Sequence, residues 1–338
     1  MRAAQLYGTR DLRIEELDEP VADDGNVLID ITACGVCPRD VRWYTGGRTG
    51  GDYPRRLGHE WVGRVLDVAA GVDGFAPGDR VVADWRVVCG ECYNCRRGVF
   101  NYCSNMGRGG VRGGFGERGT AIPSNLRVIP GTVSDEEACF TEPLACCING
   151  SRKSDIHTGD DVVVVGAGPI GLLHTQLAKH HGARVIVCDR IQDRLDKALE
   201  VGADDVIRID ERNPVDDVLD MTDGRGANVI VVAVGVTAAA ETALEMAGIN
   251  ATVNLFAGFY PADPIALDPN LIHYKQINLT GSHDFTPHDF TSALKLIEHG
   301  IVNVETLISH RLTLDETAAG CETVDQREGL KVVIETAT

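Results

Sequence analysis

Long apolar runs are what this sequence most plainly lacks. The longest, residues 162–173, spans 12 residues and includes glycine and proline. A membrane-spanning helix needs about 20 apolar residues. The N-terminal residues pass into charge without an apolar segment, which predicts no secretory leader. Positive charge is also short: 32 basic side chains face 50 acidic ones, for a net charge of −18. That balance argues against a sequence-independent nucleic-acid binder and against a peripheral protein on an anionic membrane. Lysine is scarcest of all. Only 6 of the 32 basic residues are Lys, the other 26 being Arg. A salt-adapted proteome and a GC-rich genome both produce that bias.

What is present is ordinary in bulk and unusual in detail. A chain of 338 residues is too long for one small core and fits two domains. Hydrophobic residues make up 43% and charged residues 24%, close to ordinary globular usage. The 11 cysteines are many for a chain with no secretory signature. In the expected reducing cytoplasm, clustered cysteines read as metal-binding or catalytic before they read as disulfides.

The chain changes character along its length. Up to about residue 148 it is rich in Gly and in short β-type runs. Examples are Val27-Leu28-Ile29-Asp30-Ile31, Trp61-Val62-Gly63-Arg64-Val65 and Arg80-Val81-Val82-Ala83. Short, closely spaced strands predict a barrel-like β domain. From about residue 150, strands and helices alternate. Strands are expected at 161–165, 184–189, 206–209 and 228–233, and helices at 169–181, 194–201 and 215–221. That rhythm predicts βαβ units on a parallel sheet covered on both faces. Further strand-like runs follow at 252–256 and 277–280, then a helix at 289–299. The fold class is therefore α/β.

Three constellations carry chemistry. The first is Gly166-Ala167-Gly168-Pro169-Ile170-Gly171, which follows a strand and opens a helix. Gly166 allows a tight turn, Gly168 a close backbone approach to a pyrophosphate, and Gly171 close packing of helix on strand. Asp189 ends the next strand, where an acid accepts hydrogen bonds from the adenosine ribose and repels a 2′-phosphate. NAD is therefore expected over NADP. Arg190 and Arg194, beside that pocket, keep NADP open.

The second constellation is Cys89-x2-Cys92-x2-Cys95-x7-Cys103. Four thiolates so spaced can surround one Zn²⁺ and leave no position open, which marks a structural site. An iron–sulfur centre and a pair of disulfides are the chemical rivals. The third is dispersed: Cys37, then Gly58-His59-Glu60, then Glu142-Pro143-Leu144. A thiolate, an imidazole and a carboxylate can hold Zn²⁺ with a place left for water or substrate, as catalytic zinc requires.

Taken together, these residues resemble the zinc-containing medium-chain alcohol dehydrogenases. Gly58-His59-Glu60-x2-Gly63-x5-Ala69-x2-Val72 matches that family's zinc signature, and the four-cysteine lobe and the glycine turn stand where the family has them. Glu142-Pro143-Leu144 looks like the polyol (sorbitol) and threonine dehydrogenase branch. The resemblance implies a GroES-like β-barrel catalytic domain at residues 1–148, completed by residues 284–338, and a Rossmann domain with a doubly wound parallel sheet at residues 149–283. It implies an active site in the cleft between them. It makes Cys37, His59, Glu60 and Glu142 catalytic-zinc ligands or their close neighbours, and Cys89, Cys92, Cys95 and Cys103 the structural site. Two zinc ions and one NAD per chain follow. So does a homodimer or homotetramer paired through the cofactor domain, with residues 253–256 as its edge strand.

The departures are specific. Pro38 and Arg39 stand where the family has Gly and then a Ser or Thr that starts a proton relay, and Arg42 stands where a relay His is common. A relay through Glu60 or Glu142 is the expected replacement. Arg39, Trp43 and Asp284 are candidate substrate residues. The expected substrate is a secondary alcohol or ketone of a polyol, sugar or cyclitol, phosphorylated or not. A threonine-like amino-alcohol is the alternative, and a non-catalytic dinucleotide-binding sensor or scaffold the alternative of another class. No nucleic acid or membrane partner is expected. Cys34, Cys139, Cys146, Cys147, Cys188 and Cys321 are left over as small buried apolar groups.

Overall fold

The computed structural model describes residues 1–336 apart from residues 24, 49 and 108–112. Within them the chain divides into two compact units. One comprises Met1–Pro143, Thr286–Gly300 and the segment from Val304 onward; the other comprises Leu144–Phe285 and Ile301–Asn303. The first division falls five residues earlier than the sequence rhythm suggests. The helix Thr141–Ser154 carries no break at 148, so residues 144–148 go with the second unit. No helix among the described residues is long and apolar enough to cross a membrane.

The first unit is built on a β-sheet. Its strands run in the order Ile308–Thr313, Lys331–Glu335, Val27–Gly35, Glu60–Val68, Arg80–Ala83 and Leu126–Val128. Arg118–Ala121 pairs with the first half of Val27–Gly35. A smaller sheet joins Arg2–Gly8 to Asp11–Glu16 and Arg55–Arg56. Burial alternates along residues 27–32, as a strand with one buried face requires. Val27, Ile29 and Ile31 enter a core shared with Leu6, Trp61, Val65 and Phe115. Lys331–Glu335 lies antiparallel to Val27–Gly35, with Val333 opposite Gly35, so the C-terminal strand closes the N-terminal unit.

The second unit holds a six-stranded sheet. Its order is Asp205–Arg208, Arg184–Asp189, Asp161–Val165, Ala227–Val232, Ala247–Leu255 and Asn278–Gly281, with every pairing parallel. All five residues of Asp161–Val165 are buried, as expected for a central strand covered on both faces. The expectation of an edge at residues 253–256 fails. Ala247–Leu255 is flanked on both sides, and Asn278–Gly281 takes the edge by adding in register, Thr252 opposite Asn278. That last strand is short and half exposed, so its apolar signal was too weak to rank it outermost.

Glycine makes one close approach in the first sheet possible. A Cβ on Gly63 would strike the carbonyl oxygen of Asp30 on the paired strand. Gly63→Ala is expected to destabilise the fold by about 1–3 kcal/mol, the ordinary cost of overpacking. Thermal unfolding checks this, and an unchanged midpoint would show that the strands part there without cost.

Candidate active site

The site grows from one short helix. Cys37 is the N-cap of Pro38–Tyr44, and Pro38 occupies its first turn, where a missing N–H costs nothing. Asp40 completes a capping box, its carboxylate accepting from the Cys37 amide at 3.4 Å while the Cys37 Sγ accepts from Arg39 N at 3.5 Å. Gly58 has φ +90°, and its missing Cβ leaves room for the Phe115 amide and the Cys34 sulfur. This turn delivers His59 and starts the strand Glu60–Val68.

Asp40 is the hinge of the arrangement. Its carboxylate accepts from Gly58 N at 3.2 Å and lies 3.2 Å from His59 Nδ1. Burial alone would raise its pKa, but His59, the Gly58 amide and Arg39 outweigh this and hold it below the usual carboxylate value. A carboxylate on Nδ1 fixes the imidazole so that Nε2 is left for a metal. The donor atoms of Cys37, His59 and Glu60 all lie within 4.8 Å of one another. Glu142 brings a second carboxylate, its Oε1 4.0 Å from His59 Nε2.

Each of these two carboxylates has its own support. Glu60 forms a buried ion pair with Lys331 of the C-terminal strand, and Lys331 Nζ also donates to Val36 O at 3.4 Å. Burial by itself would lower the Lys331 pKa, but Glu60 and Cys37 raise it above the ordinary lysine value. Glu142 Oε1 accepts from the indole N–H of Trp85 at 3.2 Å. Trp85 meets the His59 ring edge-on at 5.8 Å. It is fixed by its neighbours in sequence. Arg86 and Asp84 form a fully buried pair at 3.1–3.2 Å, and Asn125 Nδ2 donates to both their carbonyls.

The donor chemistry fits a divalent cation. A thiol, an imidazole and two carboxylates converge, and Zn²⁺ would take Cys37 as its thiolate and His59 as a neutral ring. The four-cysteine lobe fits as well. The sulfurs of Cys89, Cys92, Cys95 and Cys103 lie within 4.8 Å of one another, and a zinc tetrahedron spaces its sulfurs by about 3.8 Å. Backbone N–H groups of Cys95 and Ser104 pull the Cys92 thiol down to about 6, toward the thiolate a metal takes. Of the remaining cysteines, Cys34, Cys139, Cys147, Cys188 and Cys321 are buried and Cys146 half-buried. Burial pushes the Cys188 and Cys321 thiols up to about 12, so these two are inert packing groups.

In the second unit the glycine turn has the shape that a dinucleotide needs. Gly166 has φ +104°, and a Cβ there would strike Val234; a Cβ on Gly171 would strike the Gly166 carbonyl. Gly168 caps the helix Pro169–His180 with no side-chain hydrogen bond at the cap, Ile170 stands in its first turn, and the Arg194 guanidinium lies 4.0 Å from where a Cβ on Gly168 would be. Asp189 ends the adjacent strand. One of its oxygens accepts from Ala167 N at 2.6 Å and the other from Arg190 N at 2.7 Å. Arg190 turns away to pair with Asp210 at 3.0 Å.

Three candidates remain, Arg39, Trp43 and Asp284. Arg39 lies over the Trp85 ring at 4.2 Å. Trp43, one helical turn further on, carries Arg55 at 3.7 Å and Arg48 at 5.0 Å instead of touching a metal donor. Asp284 belongs to the second unit, has φ +60°, and its carbonyl accepts from Asn149 at 2.8 Å. Sequence reading missed Asp40, Trp85 and Lys331. Cys-Pro-x-Asp is a legible capping box and could have yielded Asp40. Trp85 and Lys331 have no local signal, since their partners lie 57 and 271 residues away.

Comparison with known proteins identifies the family. The zinc-binding dehydrogenase family model matches residues 169–299, and the alcohol dehydrogenase GroES-like domain model matches residues 23–130. Sorbitol dehydrogenase of Halalkalibacterium halodurans is 36% identical, covering 97% of this chain and 96% of its own. D-arabitol-phosphate dehydrogenase of Enterococcus avium is 31% identical, covering 98% and 96%. L-threonine 3-dehydrogenase of Pyrococcus abyssi is 32% identical, covering 92% and 90%. Among solved structures, the alcohol dehydrogenase of Thermus sp. ATN1 matches with a TM-score of 0.90 at 30% identity, covering 100% of both chains. A GroES-like unit and a Rossmann unit on one chain define a zinc-type dehydrogenase. The chain belongs to the zinc-containing medium-chain alcohol dehydrogenase family.

Asp40→Asn keeps the helix cap but removes the charge behind His59. It is expected to weaken zinc binding at that cluster by about 10- to 100-fold and to leave the cysteine lobe loaded. Competition with a chelator, read as zinc per chain, measures this. Equal loss of both ions would refute the positioning role.

Proposed function

We propose that this protein transfers hydride between NAD and a secondary alcohol or ketone of a polyol, sugar or cyclitol. The observation that carries the reading is the convergence of Cys37, His59, Glu60 and Glu142, with Asp40 bound behind the imidazole. Cys37 and His59 would hold the catalytic zinc together with one of the two glutamates. Cys89, Cys92, Cys95 and Cys103 would hold a structural zinc. Bound zinc supplies polarisation of a substrate oxygen, and NAD supplies the hydride acceptor.

The chain's own residues set the rest. Arginine is a hydrogen-bond donor with no acceptor atom, so position 39 offers no proton relay. A carboxylate therefore takes the hydroxyl proton, and Glu142 suits this better than Glu60, one oxygen of which is paired with Lys331. A polyol stands ahead of an amino-alcohol. Asp40 and Glu60 are engaged by His59 and Lys331, which leaves them little capacity to receive an ammonium group. NAD stands ahead of NADP because Asp189 carries charge at the ribose end and Arg190 is paired with Asp210. Pairing between copies through the second unit follows from the family resemblance, and Asn278–Gly281 is the exposed edge that would serve it.

Two experiments test this reading. Cys37→Ser or His59→Ala is expected to abolish turnover on a panel of polyols and cyclitols while NAD still binds. Loss of both together would argue against the assigned roles, and one zinc with no turnover on the full panel would point to a scaffold. Asp189→Ala is expected to lower the NAD to NADP ratio of kcat/KM at least tenfold. An unchanged ratio would remove Asp189 as the discriminator.

A further inference from the structure

Arg10, Arg13, Arg80, Arg86 and Arg184 each reach a carboxylate within 4 Å. Arg39, like Arg55, Arg64, Arg96 and Arg127, meets no carboxylate within 4 Å among the described residues, and what sets it apart is its place beside the candidate metal ligands. Its sequence neighbour Asp40 feels its charge, but Asp40 is turned to His59 and the Gly58 amide. The half-buried guanidinium instead lies over the Trp85 ring at 4.2 Å. That ring is held rigid by the Asp84–Arg86 pair, and it touches both His59 and Glu142.

Position beside the cluster and contact with a supported ring together describe a receptor for an anion. A guanidinium over an indole face still has N–H groups to offer, and their fork matches the two oxygens of a carboxylate or phosphate. Contact with the ring limits its freedom, so less is lost on binding. The charge extends along the helix. Trp43, one turn from Arg39, carries Arg55, whose Nε donates only to the Asp52 carbonyl at 3.3 Å among the described partners. The acids of the neighbouring cluster are each engaged, so this strip is the cationic part of the site.

We propose that Arg39, seated on Trp85, binds an oxyanion on the substrate, so that the preferred substrate is a hydroxylated carboxylate or phosphate ester in place of a neutral polyol. This deepens the dehydrogenase reading by naming its substrate class. The matched probes are sorbitol, D-gluconate and sorbitol 6-phosphate, with inorganic phosphate as an unreactive anion. Isothermal titration on zinc-loaded enzyme gives affinities for wild type, Arg39→Lys and Arg39→Met. Met preserves packing on Trp85 and removes the charge.

Arg39→Met is expected to weaken binding of the anionic probes by about ten- to hundredfold and to leave sorbitol and NAD within about twofold. Arg39→Lys should recover part of the loss, because a point charge lacks the fork. A larger loss on gluconate identifies the carboxylate as the source, and a larger loss on sorbitol 6-phosphate and inorganic phosphate identifies the phosphate. Equal affinities in wild type and Arg39→Met would overturn the proposal. So would a loss confined to NAD, which would give Arg39 to the cofactor pyrophosphate. If no probe is oxidised but Arg39 still governs anion affinity, the dehydrogenase reading fails and the anion site stands.

Discussion

Asp40, Glu60 and Glu142 are buried side by side in one small cluster. Taking an ionised carboxylate out of water costs several kcal/mol unless a cation or several donors replace the lost hydration. The surrounding structure supplies those replacements one by one. Asp40 receives the His59 ring and the Gly58 amide, Glu60 receives Lys331, and Glu142 receives the Trp85 indole. What remains is the Cys37 thiol, whose pKa burial pushes up, and carboxylate charge that a divalent cation would neutralise while taking the sulfur as thiolate. Placing three acids in the interior is thus costly, and it is also the reason the cluster can hold a metal.

That constraint reaches into chain topology. Lys331 arrives from 271 residues away, on the last strand. Without the pairing of Lys331–Glu335 with Val27–Gly35, Glu60 would be a lone buried charge. The N-terminal unit therefore cannot be completed until the C-terminus is in place, and the units are not consecutive in sequence. Gly35 shows how closely the sheet is fitted to this purpose. A Cβ on Gly35 would occupy the space of the Glu60 carboxylate and the Lys331 stem. The glycine there makes room for the ion pair and is needed for no unusual backbone angle.

Legibility in the sequence followed distance along the chain. The four cysteines lie within 15 residues, and Gly166 to Gly171 within six, so their spacing alone implies their geometry. The parallel sheet was readable because central strands are apolar throughout. Cys37, His59 and Glu142 could be joined only through a family resemblance, since no local rule brings residues 37 and 142 together. Trp85 and Lys331 were invisible because their roles are defined by partners far away. The misjudged edge strand has the same origin. Residues 253–256 are apolar because they are buried between two neighbours, and that pattern says nothing about which strand is outermost.

Arg39 ties the two halves of the chemistry together. Replacing a hydroxyl residue by Arg at this position removes a proton carrier and adds a fixed positive charge in one step. The two changes support each other. A guanidinium has no acceptor atom, so the proton route must shift to a carboxylate. A carboxylate near a cation stays ionised, as Asp40 does beside Arg39 and His59. The net charge of −18 concealed this, because it averages over a surface of acids and says nothing of which charges stand beside one site. Local pairing, more than overall charge, decides what such a site attracts.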